Sequence, residues 1–240
     1  MKKIVFPFLG ILMLGSSGCL DKGGDHAESY SNIPAVVQYD YTTRQPSLIT
    51  SMGKVIVPEL QKVLYSELDE DDAVLADFKI YDNLQTSTEY TIASDVKWIK
   101  ISQVKPYSSS GGKSVSGNFN FKIEEMNVID MIFYDSYKTV MFMVFTHIAP
   151  GDQRFDYEMT YDPDENSDIV YIRAKERGQG KDQDTYVNYI YAFDMRDYLM
   201  TLKGSGSDKI EFNLQYKIGE EDGNDVFGEW SRNPVEIEYK

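Results

Sequence analysis

The chain has 240 residues, with 39 acidic against 24 basic side chains and a net charge of −15. So strong a negative field disfavours nucleic acid and anionic lipid as direct partners. The 18 tyrosines and 12 phenylalanines favour strands, and the length suffices for one large β domain or two small ones.

Lys2 and Lys3 open the chain, residues 4–14 (IVFPFLGILML) are apolar, and Ser16, Ser17 and Gly18 are small. That is the three-part pattern of a secretory signal peptide over 1–18. The apolar run is too short for a bilayer span, which needs about 20 apolar residues. Pro7 and Gly10 inside it argue against a buried core helix. Cys19 is the single cysteine, so no disulfide accounts for it. The segment resembles a bacterial lipoprotein signal, in which the cysteine becomes the lipid-modified first residue. Gly18 directly before Cys19 fits, while Ser16 stands where that pattern has leucine. The resemblance implies lipidation at Cys19, with a membrane as partner through that anchor. It also implies a place in the cell envelope, at the outer membrane, with the periplasmic or surface-exposed face undecided. Removing 1–18 leaves 22 basic against 39 acidic residues, a balance of −17.

Residues 19–32 read as a lipid-anchored tether, polar and glycine-containing with no apolar period. Strand patterns follow over 33–104: AVVQYDY, SLITSMGKVIVP, DAVLADFKIYD and EYTIASDVKWIKIS. PELQKVL between them predicts a helical turn with Pro58 at its first position. About five short strands in so small a unit predict an OB-type β-barrel domain. Residues 105–118, rich in serine and glycine, are expected to be a linker.

Residues 119–240 run strand after strand. TVMFMVFT (139–146) is apolar enough for a core, and FDYEMTYD with DIVYIRAKE predicts a hairpin around Pro163. KIEFNLQYKI (209–218) alternates strictly, one face dry and one wet. Asp222-Gly223 marks a tight hairpin. MRDYLMTL (195–202) is expected as a short helical crossing. Strands at this spacing predict an immunoglobulin-like β-sandwich domain. The fold class is therefore all-β: a small OB-type barrel followed by an immunoglobulin-like sandwich.

The order of features resembles the NigD-like lipoproteins of the Bacteroides group. The matching stretches are DAVLADFKI and TIASDVKWIKI in the first domain. In the second they are VIDMIFYDSYKTVMFMVFTH, DIVYIRAKERG and YVNYIYAFDMRDYL. The resemblance implies the same two-domain order behind a lipid anchor, in a family with no agreed biochemical activity.

No catalytic set emerges. His26 lies in the tether and His147 at a strand end, so a Ser/His/Asp set has only His147 to draw on. Cys19 is consumed by lipid, and zinc lacks ligands. Asp162, Asp164, Asn166 and Asp168 stand at the 1, 3, 5, 7 spacing of a calcium loop, with Ser167 and Arg173 where that loop has Gly and Glu. A plain acidic hairpin fits them better. Trp98, Tyr189, Tyr191 and Trp230 are aromatic candidates for a binding platform, weighed against aromatics that simply fill the core. The expectation is a membrane-anchored, non-catalytic binding or accessory lipoprotein without cofactor, acting on a protein or glycan partner. A carbohydrate-binding or carbohydrate-active lipoprotein and a pilus-type structural subunit are the alternatives.

Overall fold

The computed structural model describes residues 26–85, 89–114, 118–134, 138–202 and 209–238. Cys19 and the signal segment lie outside the described residues. Five strands, β1 (Ala27–Asp40), β2 (Gln45–Thr50), β3 (Gly53–Ile56), β4 (Ala73–Tyr81) and β5 (Thr91–Lys100), close into a barrel. Its order is β1-β2-β3-β5-β4, the order of an OB barrel, with β3 and β5 parallel. One strand serves two neighbours because β1 is long. It pairs with β4 over its first part and with β2 over its last, and a bulge between Tyr30 and Ile33 lets it bend. The expected helical turn is a 3-10 turn over Pro58–Lys62, with Pro58 at its start and Leu60 buried.

The second unit is a sandwich. One sheet runs β6 (Gln103–Val104), β12 (Asp184–Asp194), β9 (Lys138–Pro150) and β8 (Glu125–Tyr134), in that spatial order. The other runs β14 (Asn224–Glu229), β13 (Lys209–Glu221), β11 (Asn166–Arg177), β10 (Arg154–Asp162) and β7 (Tyr107–Ser108), with β15 (Val235–Glu238) also on β13. The expected helical crossing is α1 (Arg196–Leu202), which buries Tyr198 and Leu199. β11 and β13 run parallel, where an immunoglobulin sandwich has antiparallel neighbours. Asp222 and Gly223 both have positive φ, as a two-residue type I′ hairpin demands.

The apolar runs without alternation belong to strands buried on both faces. Along β4, Val74, Ala76 and Phe78 fill the barrel, while Ala73 and Leu75 face the sandwich. Along β9, Met141, Met143 and Phe145 fill the sandwich, while Val140 and Phe142 face the barrel. Val36, Ala73, Leu75 and Ile101 thus meet Ile132, Val140, Phe142 and Ala192 in one apolar cluster between the units. Asp71 crosses the seam at the edge of that cluster. It accepts from Lys138 at 3.1 Å and Gln38 at 2.6 Å, with Arg196 3.5 Å away.

Three sequence-derived boundaries shift. Strand β1 begins at Ala27, inside the expected tether, because residues 27–30 pair with 78–81 of β4. Gln103 and Val104, expected in the barrel, pair with β12 of the sandwich. The first part of the expected linker, 105–118, is likewise built in. Tyr107 and Ser108 pair with β10, and a 3-10 turn over Ser110–Gly112 packs on Tyr171. Serine and glycine serve there as close-packing residues rather than as slack chain: Gly112 has φ +61 and lies so close to the Tyr171 ring that a Cβ would overlap it. The strict alternation of β13 holds from Ile210 to Tyr216. Lys217, expected on the wet face, is 1% exposed and paired with Glu220 and Asp225.

Candidate functional site

The end of the barrel's last strand and three sandwich strands line a cleft of about 450 Å³. Its walls carry Lys100 and Ser102 from the barrel end, Arg154 and Arg177 from β10 and β11, and Tyr189 and Tyr191 from β12. Each wall has a local cause. Lys100 is held by an ion pair to Asp72 at 2.6 Å. Ser102 accepts the backbone N–H of Ala192 on its carbonyl at 3.0 Å, which fixes the barrel end against β12. Tyr189 and Tyr191 stand on the inward face of β12, next to the open side of the sandwich. Their hydroxyls donate to the carbonyls of Gln153 and of Phe155, the latter at 2.7 Å, so they bridge the two sheets at their edge. Burial pushes the Tyr191 hydroxyl up from its ordinary pKa, so it stays protonated and neutral. With the hydroxyls engaged, the rings are fixed as walls.

Arg154 and Arg177 face each other across the β10–β11 ladder. Asp156 lies 3.8 Å from Arg177 and 3.8 Å from Lys175, and Asp152 stands on the Arg154 side. These separations are long for direct hydrogen bonds. The hairpin end mixes both signs, and the cleft lining takes only its cations, Arg154 and Arg177, with Lys100 from the barrel end. The cleft lining contains no carboxylate, imidazole or thiol.

Of the four aromatic candidates, the structure brings Tyr189 and Tyr191 together in the cleft and leaves the other two out. Trp230 is 9% exposed and belongs to the sandwich core. Trp98 packs against the barrel core beside Val96. Neither supplies a platform: alternation along β5 turns Trp98 toward the barrel, and Trp230, just past β14, is tied to β13 by its backbone N–H to the Leu214 carbonyl at 3.0 Å. The calcium-loop candidates form the β10–β11 turn. Asp162 is buried, and its carboxylate accepts the backbone N–H groups of Asp164, Gly111 and Glu165. Those donors hold its pKa below the usual carboxylate range. Asp164 and Asp168 are exposed, and the side chain of Asn166 lies outside what the structure describes. The acidic hairpin is therefore an arrangement in which Asp162 caps its own turn. Among the described residues, no group of three or more His, Cys, Asp or Glu is placed to hold a metal ion.

His147 is fully buried in the sandwich, stacked on Phe155 at 4.1 Å. Its Nδ1–H donates to the Lys122 carbonyl at 2.8 Å, and its Nε2 accepts from the Tyr157 hydroxyl at 2.6 Å. A carbonyl only accepts, so this pair of bonds fixes the neutral tautomer. The ring is a core element behind Phe155 and Tyr189 of the cleft wall and is not itself part of the lining.

A second charged cluster lies on the outer face of the β10–β11–β13 sheet. Arg173, 2% exposed, donates to Asp225 at 2.7 Å and to Thr160 at 2.9 Å, over the Phe227 ring. Lys217 meets Asp225 at 2.6 Å, and Tyr107 donates to Glu158. Charges are matched there and closed over by β7 and its turn, as in a structural network.

Sequence reasoning missed Arg154 and Arg177. Counting outward from Asp162↔Asn166 would set Ala174 opposite Arg154. The irregularity between Tyr161 and Asp162 shifts the ladder and brings Arg177 there instead. The nearest available signal was the pair of arginines flanking the Pro163 hairpin.

No family model matches the chain, and no curated protein matches it. Solved structures do. An uncharacterized protein from Parabacteroides merdae superposes with a TM-score of 0.69 at 16% identity, covering 88% of this chain and 98% of that one. A lipoprotein candidate from Bacteroides fragilis has a TM-score of 0.51 at 13% identity, covering 90% and 99%. A NigD-like immunity protein from Bacteroides caccae has a TM-score of 0.46 at 11% identity, covering 87% and 94%. The first two share the fold over nearly their whole length. Among the described residues, no helix is long and apolar enough to cross a membrane.

Proposed function

We propose that the chain is a membrane-anchored, non-catalytic binding lipoprotein of the cell envelope, tied to the outer membrane by a lipid on Cys19 and akin to the NigD-like lipoproteins. The lining of the cleft carries the binding half of this reading. It offers three cations, three aromatic rings and the hydroxyls of Ser102, Tyr189 and Tyr191, and no carboxylate, imidazole or thiol to move a proton near neutral pH. Walls from two units fastened by a shared apolar cluster suit a preformed ligand site. The anchoring half is supported by the basic, apolar and small-residue order of 1–18 ahead of a lone cysteine. The −17 balance behind it repels nucleic acid. The neighbouring rings of Tyr189 and Tyr191 favour a ring-bearing, carbohydrate-type ligand as the second reading.

The test is partition. Expressed in a bacterium with an outer membrane, the full chain is expected to stay with the membrane fraction through a high-salt wash, and Cys19→Ala to leave it. Equal partition of the two would refute the anchor.

A further inference from the structure

We propose that the cleft between barrel and sandwich binds a small carboxylate-bearing ring, its carboxylate held by Arg154 and Arg177 and its flat face laid against Tyr189 and Tyr191. The inference rests on the binding reading above and specifies its ligand.

The argument starts from the like-charge pair. Directly opposed like charges destabilise an antiparallel ladder. The Arg154↔Arg177 pair sits where Asp156 serves Arg177 and Lys175 at 3.8 Å each. Asp152, on the Arg154 side, takes the backbone N–H groups of Lys181 and Asp182 on its Oδ1, so two carboxylates face three cations and, among the described residues, neither arginine is hydrogen-bonded to one. The chain's net charge of −15 repels anions on the whole. Salt screens that wider field beyond about 8–10 Å, so the nearby guanidinium groups decide what enters.

Guanidinium groups present a planar fork that matches a carboxylate with two parallel hydrogen bonds. Arg177 is 73% exposed along its side chain, free enough to turn toward an incoming group. Lys100 adds a cation from the barrel wall, already engaged by Asp72 and so a supporting charge rather than the main clamp. The tyrosine rings complete the site. Their hydroxyls are committed to Gln153 and Phe155, so what they offer is ring surface at fixed positions. A cavity of about 450 Å³ lies within the range of about 300–1,000 Å³ that small-ligand sites occupy.

The experiment titrates the purified full chain in detergent micelles with p-nitrophenyl β-D-glucuronide. Its neutral counterpart, p-nitrophenyl β-D-glucoside, is the control, and binding is read by calorimetry. Saturable binding of the glucuronide is expected, with the glucoside at least about tenfold weaker, as fits the loss of a charge-assisted hydrogen bond. Arg154→Ala and Arg177→Ala are each expected to weaken the glucuronide about tenfold or more. Their melting temperatures should hold or rise, since each relieves a like-charge pair. No saturable glucuronide binding, equal binding of the glucoside, or binding unchanged in the double arginine variant would overturn the proposal. Release of p-nitrophenol with the arginine dependence intact would support the site while refuting the non-catalytic reading, so the two failures are told apart.

Discussion

The Tyr157 hydroxyl donates to Nε2 of His147 at 2.6 Å in the middle of the sandwich, and the bond closes the one site where that imidazole would take a second proton. Burial holds the His147 pKa below its ordinary value of 6.5. The unfolded chain therefore binds this proton more readily than the folded one below about pH 6.5. The stability contributed is complete above that pH and is lost as pH falls toward the lowered folded value. The urea midpoint of the wild type is expected to drop between about pH 6.5 and 5, and that of His147→Phe to drop less. Parallel profiles for the two proteins would show that the imidazole is not held neutral.

Phe142 is fully buried in the cluster that joins barrel and sandwich. Phe142→Ala is expected to cost about 3–5 kcal/mol, read by denaturant unfolding. Because the cluster belongs to both units, barrel and sandwich probes should shift together. A loss below about 1 kcal/mol would mean that the units do not support each other at this seam.

Arg173 is the buried centre of a matched charge network. Arg173→Ala leaves Glu158 with Tyr107 alone and removes one of the two cations on Asp225. Truncating one partner of a buried pair costs about 3–5 kcal/mol, and a loss of that order is expected in thermal or urea unfolding. A change within about 0.5 kcal/mol, the range of an ordinary surface substitution, would contradict the network.

The contrast between these two arginines shows what was legible in the chain. Period-two alternation places Arg173 and Arg177 on the same face of β11, and no local pattern separates them. Burial by β7 and the turn at Gly112 makes one structural, and the strand end leaves the other open. The all-β class, the Pro163 hairpin and the Asp222-Gly223 turn were legible because each is set by neighbours in sequence, and the OB-type barrel because strand number and spacing in 33–104 match that fold. The barrel start at Ala27 and the built-in segment at 107–112 were not, since pairing with distant strands decides them. Tyr189 and Tyr191 were visible as candidates, but the arginines that make them a site arrive through a register shift.

Gly112 and Gly223 both have positive φ, at +61 and +77, and differ in what a side chain would meet. Alanine at Gly223 enters open space, whereas at Gly112 its Cβ overlaps the Tyr171 ring. Both substitutions pay for backbone strain. Gly112→Ala is expected to cost at least about 1 kcal/mol more than Gly223→Ala through overpacking, with part of the excess recovered by adding Tyr171→Ala. Equal losses at the two positions would place the 109–112 turn away from β11.

The anchored binding protein proposed here stands or falls first at Cys19. Intact mass spectrometry of the chain purified from membranes reads that residue directly. A mature protein lacking residues 1–18 is expected, its mass exceeding that of its polypeptide by a glyceride and its acyl chains, with the added mass on an N-terminal Cys19. An unprocessed chain beginning at Met1, or a processed chain with a free Cys19 thiol, would contradict it.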